Sequence, residues 1–331
     1  MRIGVIGIGR IGAYHAQLLQ GIAGVDQVVV TDADPARATT VAAELDLVAV
    51  PDVPALLDRV DAVVIAAATS AHAELIEATM ARGVPTFCEK PISLDLDSTK
   101  RIVELVHRAD VPLQMGFQRR FDPGYRSAAA LAADGSLGQI YVIRMAGHDP
   151  APPHEAYIPQ SGGIFRDFSV HDFDALRFVT GQEVEEVYAD GSVIAFDVFA
   201  KYGDVDTAVA TLRLTDGSLG ILSVTRHDPL GYDIRMEVFG SKDSIAVGWD
   251  DRTPLHSVEP GVAPPPGPAH ANFQERFRSA YEAELAYFVD VAAGRSPNPC
   301  TADDALEALR IAIAADRSRA EHRPVEIAEI V

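Results

Sequence analysis

Arg2-Ile3-Gly4-Val5-Ile6-Gly7-Ile8-Gly9-Arg10-Ile11-Gly12 decides how the rest of the chain is read. Arg2 to Ile6 suits a buried strand, and Ala13 to Gln20 has helical character that stops near Gly21. Between them stands G-x-G-x-x-G. In a strand–turn–helix unit Gly7 permits the tight turn, Gly9 lets a pyrophosphate approach the backbone, and Gly12 lets helix and strand pack closely. The amides of this loop and of the helix start, with Ile8, Arg10 and Ile11, would then face the phosphates. Glycines also fill ordinary turns, so the pattern needs a second feature. Val28-Val29-Val30-Thr31 supplies it by ending in Asp32, twenty residues after Gly12. A carboxylate there accepts from both ribose hydroxyls and repels a 2′-phosphate. No arginine adjoins Asp32, and Arg37 is the nearest, so NAD is expected rather than NADP.

The alternation continues. Asp34-Pro35 opens a second helix, a cap residue followed by proline in the first helical turn. Residues 61–66, 85–89 and 112–117 read as strands, and 71–81 and 95–109 as helices. Such a series implies an α/β Rossmann domain over residues 1–118, a doubly wound parallel sheet covered on both faces. Ligands bind at the carboxyl ends of its strands, where Thr69, Ser70, His72, Glu89 and Lys90 lie. Thr69, His72 and Glu89 are cofactor candidates, although a surface or capping histidine is the commoner reading of His72. Lys90, between Glu89 and Pro91, leaves a strand end abruptly and is aimed at the crevice.

Past Phe117 strands dominate, at 139–146, 183–188, 207–214, 219–225, 233–239 and 244–247. Asp216-Gly217 between two of them is a hairpin signal. Residues 119–331 are therefore expected to form an α+β domain for substrate binding and oligomerisation, with a large, mainly antiparallel open sheet. Closing helices at 273–293 and 302–320 and a last strand within 324–330 complete it, and the terminal helix and tail could return to the first domain. The proline-rich stretch 150–159 suits a wall or lid over a site, and 260–268 an exposed bridge.

The 331 residues carry a formal net charge of −20, which disfavours nucleic acid and anionic membrane surfaces and fits a neutral small substrate. Cys88 and Cys300 make neither a disulfide framework nor a metal-finger spacing. Glycines break the N-terminal apolar run, so no signal peptide is read there, and apolar runs such as 62–68 are too short for a bilayer. A cytoplasmic location is expected.

Gly162-Gly163-Ile164-Phe165-Arg166-Asp167-Phe168-Ser169-Val170-His171-Asp172-Phe173-Asp174 is the stretch that bears chemistry. Two glycines open a helix-like segment, and Asp167 and His171 fall four residues apart on one face. A carboxylate and an imidazole so placed can bond each other, grip a metal or move a proton. Asp172 lies about 100° around the helix from His171, a poor arrangement for convergent ligands, so no metal is expected.

These motifs, in this order, resemble the Gfo/Idh/MocA oxidoreductases along nearly the whole chain. Phe87-Cys88-Glu89-Lys90-Pro91-Ile92 is similar to that family's Glu-Lys-Pro motif, and Asp167 to His171 to its Asp-x-x-x-His. Three stretches resemble the inositol dehydrogenase branch in particular: Gly116-Phe117-Gln118-Arg119-Arg120-Phe121-Asp122-Pro123-Gly124-Tyr125, Gly231-Tyr232-Asp233-Ile234 and Phe273-Gln274-Glu275-Arg276-Phe277. Gln118 and Asp149 depart from that branch, which carries methionine and asparagine there, and the loop after Pro150 is longer. The resemblance implies NAD-linked oxidation of a ring secondary alcohol of a cyclic polyol, foremost myo-inositol. It also implies a homotetramer packed through open sheet faces, and a cis peptide before the proline of Glu-Lys-Pro.

Oxidation by NAD needs a base for the hydroxyl proton, and histidine is matched to that task near neutral pH. His171 is thus the expected base, Asp167 its orienting partner or a hydroxyl ligand, and Lys90 a donor to the reacting oxygen. Arg119, Asp149, Tyr157 and Tyr232 are candidates for the remaining hydroxyls. The rival readings are a sugar or anhydrosugar dehydrogenase, a non-catalytic NAD(H) sensor, and a structural histidine at 171.

Overall fold

An almost wholly buried run makes β1 (Arg2–Ile6), and α1 (Arg10–Leu19) follows the glycine loop. In the computed structural model, which describes residues 1–331, the alternation then runs β2 (Gln27–Thr31), α2 (Pro35–Leu45), β3 (Val48–Ala49), α3 (Val53–Leu57), β4 (Ala62–Ile65), α4 (Thr69–Ala81), β5 (Thr86–Glu89), α5 (Leu96–Ala109) and β6 (Leu113–Gly116). The six strands pair in parallel in the order β3-β2-β1-β4-β5-β6. The order reverses between β1 and β4, and in such sheets a crevice opens at the carboxyl ends beside that reversal. Aspartates start the helices. Asp34 accepts from the Ala36 and Arg37 amides with Pro35 behind it, and Asp95 accepts from Ser98. β3 and α3 are additions to the sequence reading. Two residues make too short a strand for periodicity to show, and α3 is a five-residue turn set by Asp52, which accepts from Ala55.

Two units make up the chain: residues 1–121 with 279–307, and 122–278 with 308–331. The second holds α6 (Pro123–Ala133), β7 (Ile140–His148), α7 (Ile158–Ser161), α8 (Val170–Thr180), β8 (Val184–Ser192), β9 (Thr207–Leu214), β10 (Leu219–Thr225), β11 (Asp233–Gly240), β12 (Ser244–Val247) and α9 (Phe273–Arg276). There follow α10 (Arg278–Ala292), α11 (Ala302–Glu321) and β13 (Val325–Glu326). α10 supplies the first unit with Tyr281 and Phe288, whose rings lie 5.7 Å from Tyr14 and 5.8 Å from Phe87.

The second sheet runs β12-β11-β7-β10-β9-β8-β13. Its pairs are antiparallel except β7 with β10. Burial alternates strictly along β9, from Ala208 in to Val209 out and so to Leu214 in, as expected for a sheet covered on one face. α8 packs on β7 and against α6, covering that face.

Three boundaries differ from the sequence reading. The helix expected over 273–293 breaks at Phe277, where φ is −110°. Of 324–330 just Val325–Glu326 pairs as strand, because Glu326 and Glu329 close a capping box around the next turn. The helix-like segment after Gly163 begins as a π-helical turn, Phe165–Ser169, before α8 takes over. No helix is long and apolar enough to cross a membrane.

Candidate active site

In the first unit the glycine loop has the shape a dinucleotide needs. Gly7 sits at φ +87°, and its amide donates to the Thr31 carbonyl at 2.9 Å. A Cβ on Gly12 would fall 1.9 Å from the Gly7 carbonyl oxygen, so a larger residue would push α1 off the loop. A Cβ on Gly9 would meet no atom within 4 Å: the loop opens outward there, and Gly9 as cap puts no side chain over the first amides of α1. Ile8 is buried in the loop, while Arg10 is exposed and Ile11 partly exposed at the start of α1. Asp32 ends β2 with one oxygen 2.8 Å from the Ile8 amide and the other 2.8 Å from the Asp34 amide. Arg37 also reaches it, at 3.2 Å. The carboxylate therefore fixes the glycine loop as well as standing where a ribose would be read. These residues fit an NAD.

Thr69 starts α4 just beyond the end of β4, next to the reversal point. His72 is placed otherwise than expected of a cofactor ligand. It is 1% exposed, with Nδ1 2.7 Å from the Pro91 carbonyl and Nε2 3.0 Å from that of Ala67. Burial, foremost, lowers its pKa against the two carbonyls, which act the other way, and the ring braces the Lys90–Pro91 turn. That peptide bond is cis. Glu89, at the end of β5, meets His15 of α1 at 2.6 Å, and His15 is fully buried. The pair ties the helix that follows the glycine loop to the strand that carries Lys90, itself partly exposed. Arg119 is 1% exposed in the short turn Gln118–Phe121. Its neighbour Arg120 bonds the Pro299 carbonyl and Asp304, each at 3.0 Å.

In the second unit the π turn carries Asp167, and His171 stands in the first turn of α8, partly exposed. π turns are tolerated in few places, and functional sites are prominent among them. The fold brings one sequence candidate, Tyr157, onto Asp167 directly and links a second, Asp149, to it through Arg226. Tyr157, half-exposed, donates its hydroxyl to Asp167 Oδ1 at 2.8 Å. Arg226, the residue after β10, donates to Asp167 Oδ2 at 2.9 Å and to Asp149 Oδ2 at 3.3 Å. Asp149 is held by its backbone, donating to Thr225 and accepting from Asp228. Tyr232 is 5% exposed, edge-on to Phe277 at 6.4 Å. Arg226 was not among the sequence candidates. No local pattern marks it, since its two carboxylates lie 59 and 77 residues away.

A metal grip at Asp167 is opposed by the guanidinium already on that carboxylate. The chain does gather another triad, His148, Asp228 and Asp233, with His148 Nδ1 3.6 Å and 3.5 Å from the two carboxylates. Both oxygens of Asp233 accept from Arg235, at 2.7 and 2.8 Å, which offsets its charge.

The family profile described as "Oxidoreductase family, NAD-binding Rossmann fold" matches residues 1–117, and that of the "GFO/IDH/MocA C-terminal domain" matches 125–246. The chain is 41% identical over 322 residues to the myo-inositol dehydrogenase Hyg17 of Streptomyces leeuwenhoekii, covering 96% of this chain and 97% of the relative. It is 39% identical to the myo-inositol 2-dehydrogenase of Thermotoga maritima, over all of both chains. Among solved structures it resembles the scyllo-inositol dehydrogenase of Lactobacillus casei with bound NAD(H) and scyllo-inositol, with a TM-score of 0.88 and 29% identity over 99% of each chain.

Proposed function

The chain belongs to the Gfo/Idh/MocA family of NAD-dependent oxidoreductases, and on that premise we propose that it oxidises myo-inositol, or a cyclitol very like it, to the corresponding ring ketone. NAD, when bound, supplies the hydride acceptor. The chain's own residues handle the proton and the geometry. His171 takes the proton of the reacting hydroxyl. Lys90 donates to the same oxygen as negative charge develops on it. Asp167 orients the imidazole or a neighbouring hydroxyl, and Arg119, Asp149, Tyr157 and Tyr232 bind the rest of the ring. The observation that carries this reading is the π turn, which presents a carboxylate held by Tyr157 and Arg226 one turn ahead of a partly exposed histidine.

Residues 1–118 are assigned to cofactor binding and 119–331 to substrate binding and assembly as a homotetramer. In support of the latter, the open face of the second sheet exposes Tyr188, Val209, Leu219 and Ile221. A cytoplasmic location accords with two buried cysteines, Cys88 and Cys300, that form no disulfide.

NADH formation over a panel of myo-inositol, scyllo-inositol and pyranoses, with NAD and with NADP, tests the assignment. Fastest turnover on an inositol with NAD is expected. Fastest turnover on a pyranose would move the protein to the sugar dehydrogenases, and tight NAD binding without turnover would make it a sensor. For His171→Ala a fall in kcat of at least about 100-fold is expected at unchanged NAD affinity. Near-normal turnover would remove His171 as the base.

A further inference from the structure

Arg226 is 3% exposed and stands just past β10, its amide donating 2.8 Å to the Asp206 carbonyl. Its guanidinium carbon lies 5.5 Å from the centre of the Phe168 ring, so one side is covered by an apolar face. Its two forward nitrogens separate. One goes to Asp149, at the end of β7, and the other to Asp167, in the π turn. Asp204, from the loop ahead of β9, adds a third negative charge to its surroundings, and the Tyr157 hydroxyl closes the far side of Asp167. Burial by itself would lower the Arg226 pKa; Asp167, then Asp149, outweigh it and hold it above its ordinary value.

A lysine could not do the same. A planar guanidinium presents several donors in a fixed fork, so it can hold two carboxylates at set angles, while an ammonium acts as a point charge. Two part-buried carboxylates drawn toward one spot also repel each other, and without a cation between them the proton affinity of one rises. A protonated Asp167 would offer a donor where the reaction requires an acceptor.

We propose that Arg226 is a positioning residue of the reaction: by bridging Asp149 and Asp167 it keeps the Asp167 carboxylate charged and aimed. The proposal rests on the assignment of Asp167 to the reaction, and it ties Asp149 to the same function. Asp149 then serves as a second anchor for the fork, which gives a physical reason for an acid at that position.

The test uses the full chain with Arg226→Gln and Arg226→Lys. The titration of Asp167 is followed by carboxyl carbon NMR, assigned through Asp167→Asn, and kcat and KM for myo-inositol are measured against pH. In Arg226→Gln the midpoint of Asp167 should rise by a unit or more, about tenfold in proton affinity. kcat should fall about 100-fold, the acid limb of kcat/KM should move up in step, and NAD affinity should stay constant. Arg226→Lys should return the midpoint most of the way but leave kcat about tenfold low, because one ammonium cannot hold both carboxylates in place. An unmoved Asp167 midpoint in the glutamine variant overturns the proposal. If that variant does not fold, the lysine variant decides, and wild-type kcat there overturns it. Wild-type protein that turns over no cyclitol would sink the functional assignment alone, since the Asp167 titration is read without turnover.

Discussion

The two sheets of this chain solve burial in opposite ways. In the first, β4 is buried at every position and β1 at all but its first, because helices cover both faces of a parallel sheet. In the second, β9 and β10 alternate, and the outward positions carry Val209, Leu219 and Ile221. On that outer face Arg144 bonds Glu237 and lies over the Phe239 ring at 4.7 Å. A strand buried on both sides takes a polar side chain where a buried partner satisfies it, as the Glu284 carbonyl does for Gln114 of β6, whereas one buried on one side tolerates polarity at every second residue. The first sheet is thus a rigid platform for loops at its strand ends. The second can bury one face in its own unit and offer the other to a partner.

A charge placed at matched positions separates the two designs most sharply. Val64 in β4 is 0% exposed and Val209 in β9 is 53% exposed. Val64→Asp should cost more than about 4 kcal/mol, seen as loss of the folded baseline in urea. Val209→Asp should leave the monomer within about 0.5 kcal/mol of its parent. In sedimentation the same variant should reduce the assembly to smaller species. Equal destabilisation by the two would show that the open face is structural rather than a contact surface, and an unchanged sedimentation coefficient would dismiss it as the tetramer interface.

The same contrast explains what could be read from the chain. Continuous apolar runs and strict alternation are local signals, so strands such as Thr207–Leu214 and Leu219–Thr225 are legible residue by residue. The glycine loop, Asp32, Lys90 and the Asp167–His171 spacing are equally local. The partners that hold these groups are not. His15 looks like any helical histidine until Glu89 arrives from 74 residues away, and Arg226 looks like a strand-end arginine until Asp149 and Asp167 reach it. The π turn is also silent, because one extra residue in a turn leaves the apolar spacing of Phe165 and Phe168, both buried, readable as an ordinary helix. His72 shows the converse: a histidine at the right strand end draws suspicion, yet its ring is spent on backbone carbonyls.

A smaller effect sharpens how the second unit holds its loops with charge. Asp206 is 1% exposed and accepts from the amides of Ile194, Ala195 and Phe196 and from the Thr207 hydroxyl. Burial would raise its pKa, but those donors prevail and hold it below the usual carboxylate value. A carboxyl group whose pKa is lower folded than unfolded stabilises the fold above its unfolded pKa, and the gain is lost as pH falls through the folded value. Asp206→Asn should therefore cost about 2 kcal/mol at neutral pH. The gap to the parent should begin to narrow below about pH 3.9. Urea midpoints across that range check it, and a gap independent of pH would mean that shape, not charge, holds the loop.

The smallest effect lies at the hairpin between β9 and β10. Gly217 has φ +86°, and its amide donates to the Leu214 carbonyl at 2.9 Å. Asp216 accepts from the Ser218 amide and hydroxyl, which sets the turn from the other side. A Cβ on Gly217 would meet no atom within 4 Å, unlike one on Gly12, so only the backbone conformation resists substitution. Gly217→Ala should cost about 1–2 kcal/mol without altering NAD affinity. Gly217→Asn should recover part of that, because a short amide side chain is tolerated in the left-handed region. If asparagine proves no better than alanine, the loss is not torsional.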